Sequence, residues 1–364
     1  MLFLEKAPPD INASLLSAFG DQPLNLSDLE AVRLILRGDS IIDWNRANFR
    51  NQQEVDRYLR LHQLDVSKPE DLWRLRYVHG EAVNYLEEHL GLQFPPDLQK
   101  PDDVRDIFLQ ASHTGSFRRR QILACVLLKL MHVINHMEAA ELRYQTPLSE
   151  ADLMELAERR IMSAAEQMRA SGFPLVAFYG SRKARNSIIT KLIAKKENIA
   201  ATIFDKLRFR IVTHDRAHIL PALSWLTRNL FPFNYIIPGQ SHNNLLLFRD
   251  MLRSEPLSHL GSELLSNGIT EEELLTPEEN PFSGGSYRMI NFIADFPVRI
   301  DHLVDVRYGA LLGRTVFVMV EFQVIDRQTA RDNEEGENAH RLYKERQREI
   351  VEARLRKGGR RKRD

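Results

Sequence analysis

The sequence predicts an α+β protein: a helical N-terminal half followed by a half built on a mixed sheet. Three observations carry this. Up to about residue 150, apolar residues recur at helical spacing. Beyond residue 170, short segments alternate apolar and polar residues at strand spacing. The chain has 364 residues, 43% of them hydrophobic, enough for two domains or one enlarged domain with a sizeable core.

In chain order, helical spacing marks Leu29 to Arg37, Val55 to Leu61, Leu72 to Leu90 and Val104 to Gln110. Arg119 to Arg143 is the clearest helix. Its centre, ILACVLLKLM, is apolar nearly all round, which predicts a buried helix. Cys125, the one cysteine, lies inside it and is expected to pack as a small apolar side chain; no internal disulfide is possible. His132 and His136 are four apart, a spacing that can serve one metal. Glu138 falls on another face and no third ligand is evident, so a structural role is the expectation. PLSEADL predicts a helix start with Ser149 as N-cap and Asp152 three residues on, running to about Ala170.

The second half begins with a strand, Phe173 to Tyr179, that runs into a glycine turn at Gly180. A helix from about Arg185 to Glu197 follows, with Ser181, Arg182, Lys183, Ser187 and Lys191 at its start and along one side. Helix N-termini and basic side chains there favour phosphate. Next comes a strand from Leu207 to Thr213, preceded by Asp205. Leu207, Phe209 and Ile211 share one face, and Arg208, Arg210 and Val212 the other. The last strand, VFVMVEFQV, puts Val316, Val318, Val320, Phe322 and Val324 on an apolar face. Phe317, Met319, Glu321 and Gln323 lie on the opposite face. An unpaired buried carboxylate is expensive, so Glu321 should border a cleft, a cation or water. Asp205 and Glu321 on two strands of one sheet could hold magnesium, with a phosphate chain completing the coordination.

These residues resemble the synthetase domain of RelA/SpoT-type alarmone synthetases, a nucleotidyltransferase-like fold. That family shows a basic segment R-x-K-x-x-x-S-x-x-x-K. Lys183, Ser187 and Lys191 hold its last three places, with Arg182 one residue late and Ser181 at the arginine place. The family's strand-starting aspartate, with Arg-Ile five residues on, is matched by Asp205 and Arg210-Ile211. Its glycine-tyrosine-arginine segment is matched by Gly285, Tyr287 and Arg288, with Asn291 where histidine is usual. V-E-x-Q is matched by Val320, Glu321 and Gln323. The final block is matched by Glu335, Gly336, Ala339, His340, Tyr343 and Lys344. The resemblance covers roughly residues 173 to 346 and leaves the N-terminal half uncovered.

The resemblance implies a pyrophosphokinase that moves pyrophosphate from ATP to the 3′-hydroxyl of GDP or GTP. It implies magnesium (Mg2+) on Asp205 and Glu321, with Glu321 as the base for the attacking hydroxyl. Polyphosphate would meet Arg182, Lys183, Lys191 and Arg210. Ser187, Asn291 and Gln323 would complete the nucleotide site. Tyr287 would stack on a purine. His340 and Lys344, one helical turn apart, would close the acceptor side.

The chain departs from the family on that acceptor side. No lysine precedes the glycine-tyrosine segment, where ENPFSGGSYR offers Phe282. An acidic insertion occupies about residues 249 to 282, and Arg208 replaces a residue that is usually small. Two other readings therefore stand beside the guanine-nucleotide one: a nucleotide-binding regulatory module without catalysis, and the same transfer onto an RNA 3′ end. The only His-Asp pair, His214-Asp215, ends a strand of this half, so alarmone hydrolase activity is not expected.

The expected organisation is a helical scaffold or regulatory domain over 1–150, the synthetase-like domain over 151–346, and a basic helix end and tail over 347–364. Lys+Arg and Asp+Glu both number 50, so the chain as a whole has no electrostatic bias toward nucleic acid or membrane. The tail RLRKGGRRKRD is strongly basic and suits a loose RNA or ribosome contact. The N-terminus lacks the regions of a signal peptide, and no run of about 18 uncharged apolar residues marks a membrane span. A cytoplasmic protein is expected.

Overall fold

The structure, a computed structural model, describes residues 24–38, 48–112, 118–194, 205–253, 257–266, 270, 287–301, 309, 311–334 and 340–357. Gly285, Glu335, Gly336, Ala339, Phe282, most of the acidic insertion and tail residues 358–364 lie outside the described residues, as do the side chains of His340, Tyr343 and Lys344.

The first helices follow the sequence closely. They are α1 (Leu26–Arg37), α2 (Gln52–Leu61), α3 (Pro69–Leu90), α4 (Arg105–Ser112), α5 (Arg118–Gln145) and α6 (Glu150–Ala170). Ser149 caps α6 as expected, its hydroxyl accepting from the backbone N–H of Asp152 while the Asp152 carboxylate accepts from the Ser149 N–H.

Five strands then form one mixed sheet. They are β1 (Leu175–Arg182), β2 (Leu207–Thr213), β3 (His242–Asn243), β4 (Ile290–Arg299) and β5 (Thr315–Asp326), in the spatial order β1-β2-β5-β4-β3. Only the β2–β5 pair is parallel. The second half also supplies α7 (Arg185–Ala194), α8 (Ile219–Asn229), α9 (Phe248–Arg253), α10 (Ser258–Ser266), α11 (Arg327–Glu334) and α12 (His340–Lys357). The α+β expectation holds.

One expectation fails at Gly180. The sequence suggests a turn there, but β1 continues to Arg182, with Gly180 paired to Phe209 of β2. A Cβ on Gly180 would sit 2.7 Å from Cε1 of the Phe209 ring. Glycine is required by this close approach inside a strand, not by a turn.

Two apolar cores organise the packing. The larger holds the apolar face of β5, side chains of β2 and β4, and apolar residues of α1, α6 and α8. Phe209, Phe292 and Phe322 stack across three adjacent strands, at 5.9 and 5.4 Å between centroids. Helix α1 thus packs with the sheet although it lies within the first 150 residues, and Arg228 of α8 donates to its Asp28 at 2.5 Å. The smaller core joins α2 to α5.

Buried polar bonds tie the cores together. Arg74 of α3 pairs with Glu138 of α5 at 2.5 Å and donates to the Leu311 carbonyl at 2.6 Å. Arg299 of β4 pairs with Asp71 of α3 at 2.7 Å.

Helix α5 is less enclosed than its apolar run predicts. Leu127, Leu128 and Ala124 are buried, but Ile122, Val133 and Met137 are exposed, because α3, α4 and β5 cover only one side of it. It also contains a stretch apolar enough, by length and composition, to cross a membrane. Its buried side lines the smaller core. Cys125 lies there, and burial pushes its thiol up to about 11.

Candidate active site

The registers of the sheet decide which polar residues meet. Arg208 is level with Glu321, and Arg210 with Gln323, across the parallel β2–β5 pair. On the outer side, β1 sets Ser181 level with Arg208 and Tyr179 level with Arg210. On the inner side, Ile293 is level with Glu321, Asn291 with Gln323, and His242 of β3 with Asn291. Level residues share a face. A row Ser181-Arg208-Glu321-Ile293 and a row Tyr179-Arg210-Gln323-Asn291-His242 therefore cross the sheet side by side, opposite the larger core.

Two arginines meet two acceptors on these rows. Nε of Arg208 donates to Oε2 of Glu321 at 2.5 Å. Gln323 donates to the other Glu321 oxygen at 3.1 Å. Arg210 donates to Oε1 of Gln323 at 3.0 Å and to the Tyr287 hydroxyl at 3.3 Å. The Glu321 side chain is only 4% exposed, so a partner is obligatory, and Arg208 supplies the cation. Of the three surroundings the sequence allowed for Glu321, the structure shows the cation.

Asp205 lies just before β2 and gathers three more charges. Lys183, directly after β1, pairs with Oδ2; its backbone N–H also donates to the Lys206 carbonyl at 2.8 Å, which anchors the lysine there. Lys191 reaches Oδ1 at 2.7 Å from α7. Arg208 reaches Oδ2 at 3.5 Å and so bridges Asp205 to Glu321. Burial works to raise the Asp205 carboxyl, but Lys183 and Lys191 outweigh it and hold it down to about 2. The same burial lowers Lys183, with Asp205 opposing it. Burial also works against the Arg208 charge, but Glu321 and Asp205 prevail and its pKa stands above the ordinary arginine value.

The structure thus brings together Lys183, Lys191, Asp205, Arg210, Glu321, Gln323 and Tyr287. Arg182 turns elsewhere and pairs with Glu158 of α6 at 2.7 Å. Ser187 precedes Lys191 by one helical turn on α7. Asn291 sits on the second row, its Oδ1 buried without a hydrogen-bond partner. His340 opens α12, and α12 docks on α7 through Arg354, which donates to the Ile193 carbonyl at 2.7 Å.

Three residues that the sequence did not assign to the site help to build it. Arg208 is the bridge. Its signal was present in the alternation Arg208, Arg210 on the polar face of β2. Asn244 and Asn333 fix the backbone around Tyr287: Asn244 donates to the Tyr287 carbonyl at 2.7 Å, and Asn333 accepts from the Arg288 N–H at 3.0 Å. No local pattern marks either of them.

Asp205 and Glu321 are hard oxygen donors of the kind magnesium takes. A magnesium–oxygen bond is about 2 Å, and the ion must sit against both carboxylates at once. Here the Arg208 guanidinium bridges them, and every carboxylate oxygen already has a donor. The residues as arranged do not fit a magnesium ion held between these two acids.

Elsewhere, His132 and His136 belong to an aromatic cluster. Their rings lie 4.3 Å apart, His136 stacks on Phe317 at 4.3 Å, and Asn234 meets Nδ1 of His132 at 2.9 Å. Among the described residues, no group of three His, Cys, Asp or Glu side chains is placed to hold a metal. His214 and Asp215 touch at 3.0 Å on the surface.

No family model matches the chain, and no curated protein matches its sequence. Among solved structures, it is similar to small alarmone synthetase 1 from Bacillus subtilis, at 13% identity over 57% of this chain and 87% of that one, with a TM-score of 0.31. The same synthetase bound to its product pppGpp is similar at 15% identity over 59% of this chain and 90% of that one, with a TM-score of 0.32. A GTP pyrophosphokinase family protein from Streptococcus pneumoniae is similar at 10% identity over 57% of this chain and 84% of that one, with a TM-score of 0.29.

Proposed function

We propose that the cluster around Asp205 and Glu321 binds the polyphosphate of ATP and passes its pyrophosphate to the 3′-hydroxyl of a guanine nucleotide. The observation that carries this reading is the charge balance. Lys183, Lys191 and Arg208 outnumber Asp205 and Glu321, gathered from the end of β1, α7 and the parallel β2–β5 pair. Such a cluster has positive charge to spare before any ligand arrives, and polyphosphate is the anion that matches it.

In the transfer, the 3′-oxygen of the acceptor attacks the β-phosphorus of ATP. The bond to the α-phosphate oxygen breaks and AMP leaves. Lys183 and Lys191 exchange Asp205 for phosphate oxygens. Arg208 does the same, which uncovers Glu321 to take the hydroxyl proton. Arg210, itself bonded to Gln323, holds the Tyr287 hydroxyl, and the Tyr287 ring offers a flat face to a purine.

The test is incubation with γ-labelled ATP and GDP, GTP or bulk transfer RNA, with Glu321→Gln as control. Label on a guanine nucleotide, absent with the variant, is the expected result. Label on RNA alone would move the substrate class. No transfer to any acceptor would overturn the enzymatic reading.

A second reading has its own observation. Glu321 is 4% exposed beneath Arg208, an arrangement that suits a nucleotide-binding module without transfer. Tight ATP binding with no labelled product would select it.

A further inference from the structure

We propose that Arg208 is the resident cation of this site, standing where a protein-held divalent ion would stand, so that the protein binds polyphosphate through Lys183, Lys191 and Arg208 and holds no metal of its own between Asp205 and Glu321. The proposal deepens the polyphosphate reading and rests on it for the ligand, but its claim about metal stands on Arg208 alone.

The geometry has three parts. First, Arg208 is level with Glu321 in the parallel register, so its guanidinium is delivered to that carboxylate by the sheet itself. It contacts Glu321 at 2.5 Å and Asp205 at 3.5 Å, spanning the gap between the two acids. A planar, always-charged fork suits such bridging, and a mobile lysine would not do the same.

Second, the remaining carboxylate oxygens are occupied. Lys183 and Lys191 take one Asp205 oxygen each, and Gln323 takes Oε1 of Glu321. A dication would have to displace several charge-assisted bonds and then sit against three cations. Third, the Arg208 side chain is 33% exposed while Glu321 is 4% exposed. The guanidinium therefore covers the acid and still presents an open edge to an incoming phosphate. The arginine both neutralises the acid and offers donors to the ligand, two tasks that metal sites give to the ion.

Manganese(II), followed by its electron paramagnetic resonance signal, is the probe, titrated into nucleotide-free protein. Wild type should leave manganese free up to millimolar concentration. Arg208→Ala should gain a site at least about tenfold tighter, and Arg208→Ala combined with Glu321→Gln should lose it again. Arg208→Gln, neutral but still able to donate to Glu321, serves as the second variant if the alanine protein does not fold. Circular dichroism checks each fold. Wild-type manganese binding that disappears in Glu321→Gln would overturn the proposal, as would Arg208 variants that bind no better than wild type.

Inorganic tripolyphosphate in the presence of EDTA supplies the second arm. Wild type should bind it, and Arg208→Gln at least about fivefold more weakly. Failure of wild type to bind tripolyphosphate or ATP under any condition would sink the polyphosphate reading, while the manganese titration would still judge Arg208.

Discussion

One face of β5 carries Phe317, Met319, Glu321 and Gln323 in turn, and its two ends enclose polar groups in opposite ways. At the Phe317 end, α5 lays His136 flat on the ring, and Tyr235 joins them edge-on. His62 meets the Tyr235 hydroxyl at 2.6 Å, and Asn234 joins Tyr58 at 2.7 Å to His132. Burial, helped by His136, pushes His62 down to about 3, and His132 also falls well below the usual histidine range. His62 and His132 are thereby held neutral. At the Glu321 end the groups are charged and paired, with Asp205 held down to about 2 by two lysines. Enclosure alone removes charge from a base. Enclosure with cations fixes charge on an acid. The difference lies in what the neighbouring elements bring: α5 and the end of α2 bring imidazoles, and β2 brings arginines.

The largest effect should come from removing the cation at the charged end. Arg208→Ala leaves Glu321 enclosed with only Gln323 as donor. The expected loss is about 3 kcal/mol in urea unfolding, since breaking a buried pair strands its partner. Manganese should restore part of it. At the neutral end, His136→Phe keeps the stack on Phe317 and should cost about 1 kcal/mol or less. Equal losses at the two ends would break the comparison.

Glu321→Gln comes next. The amide keeps the shape and removes the base. Product formation in the labelled-ATP assay should drop about 100-fold or more while the fold survives. Retained transfer would remove Glu321 from the chemistry.

Acid sharpens the comparison further, because the two ends titrate in separate windows. His62 has a folded pKa of about 3 against an ordinary 6.5, so the native state binds fewer protons than the unfolded chain. Its contribution is complete above pH 6.5 and is lost as pH falls from there toward 3. The slope is about 1.4 kcal/mol per pH unit for one histidine, and His132 adds to it in the same direction. Asp205, about 2 against 3.8, also has a depressed pKa. Its contribution is present above 3.8 and fades between 3.8 and 2, about 2 kcal/mol in all. His62→Gln should therefore flatten the stability curve between pH 6.5 and 4, whereas Asp205→Asn should lower stability above pH 3.8 by a constant amount that vanishes as pH falls from 3.8 to 2. Urea midpoints across pH test this, and identical curves for both variants would contradict it. The groups that face His62 are His136, Tyr58 and Tyr235, with Asp295 at 3.4 Å from His136.

Much of this was legible in the sequence, and the exceptions have a common cause. The helices of the first half showed themselves by period, and β2 and the apolar face of β5 by alternation, because one element carries each signal. Lys183, Lys191, Asp205, Arg210, Glu321, Gln323 and Tyr287 were legible as a set through motif order. The level pairing of Arg208 with Glu321 was not, since register between strands 113 residues apart is set by the sheet and not by either segment. The same holds for Asn244 and Asn333, which act through a backbone distant in sequence. Helix α5 misled because an apolar run does not say how many neighbours will cover it.

A smaller effect than the loss of Arg208 is expected at the edge that carries Ser181 and Lys183. Gly180 looked like a turn residue because glycine breaks a strand pattern, yet its role is to let β1 lie against the Phe209 ring. Phe209 is fully buried and stacked on Phe322, so it cannot yield to an added methyl without disturbing the core. Gly180→Ala should cost about 1–2 kcal/mol through overpacking. Because Lys183 follows three residues later, the displaced edge should also weaken tripolyphosphate binding a few-fold. An alanine at Val133, exposed on α5, should change neither quantity, since nothing presses on it. If Gly180→Ala lowered stability but left tripolyphosphate binding intact, the lysine would owe its position to its own N–H bond with Lys206 and not to the line of β1. The charged end would then be anchored from the Asp205 side alone, and the contrast with the neutral end would rest on β2 without help from β1.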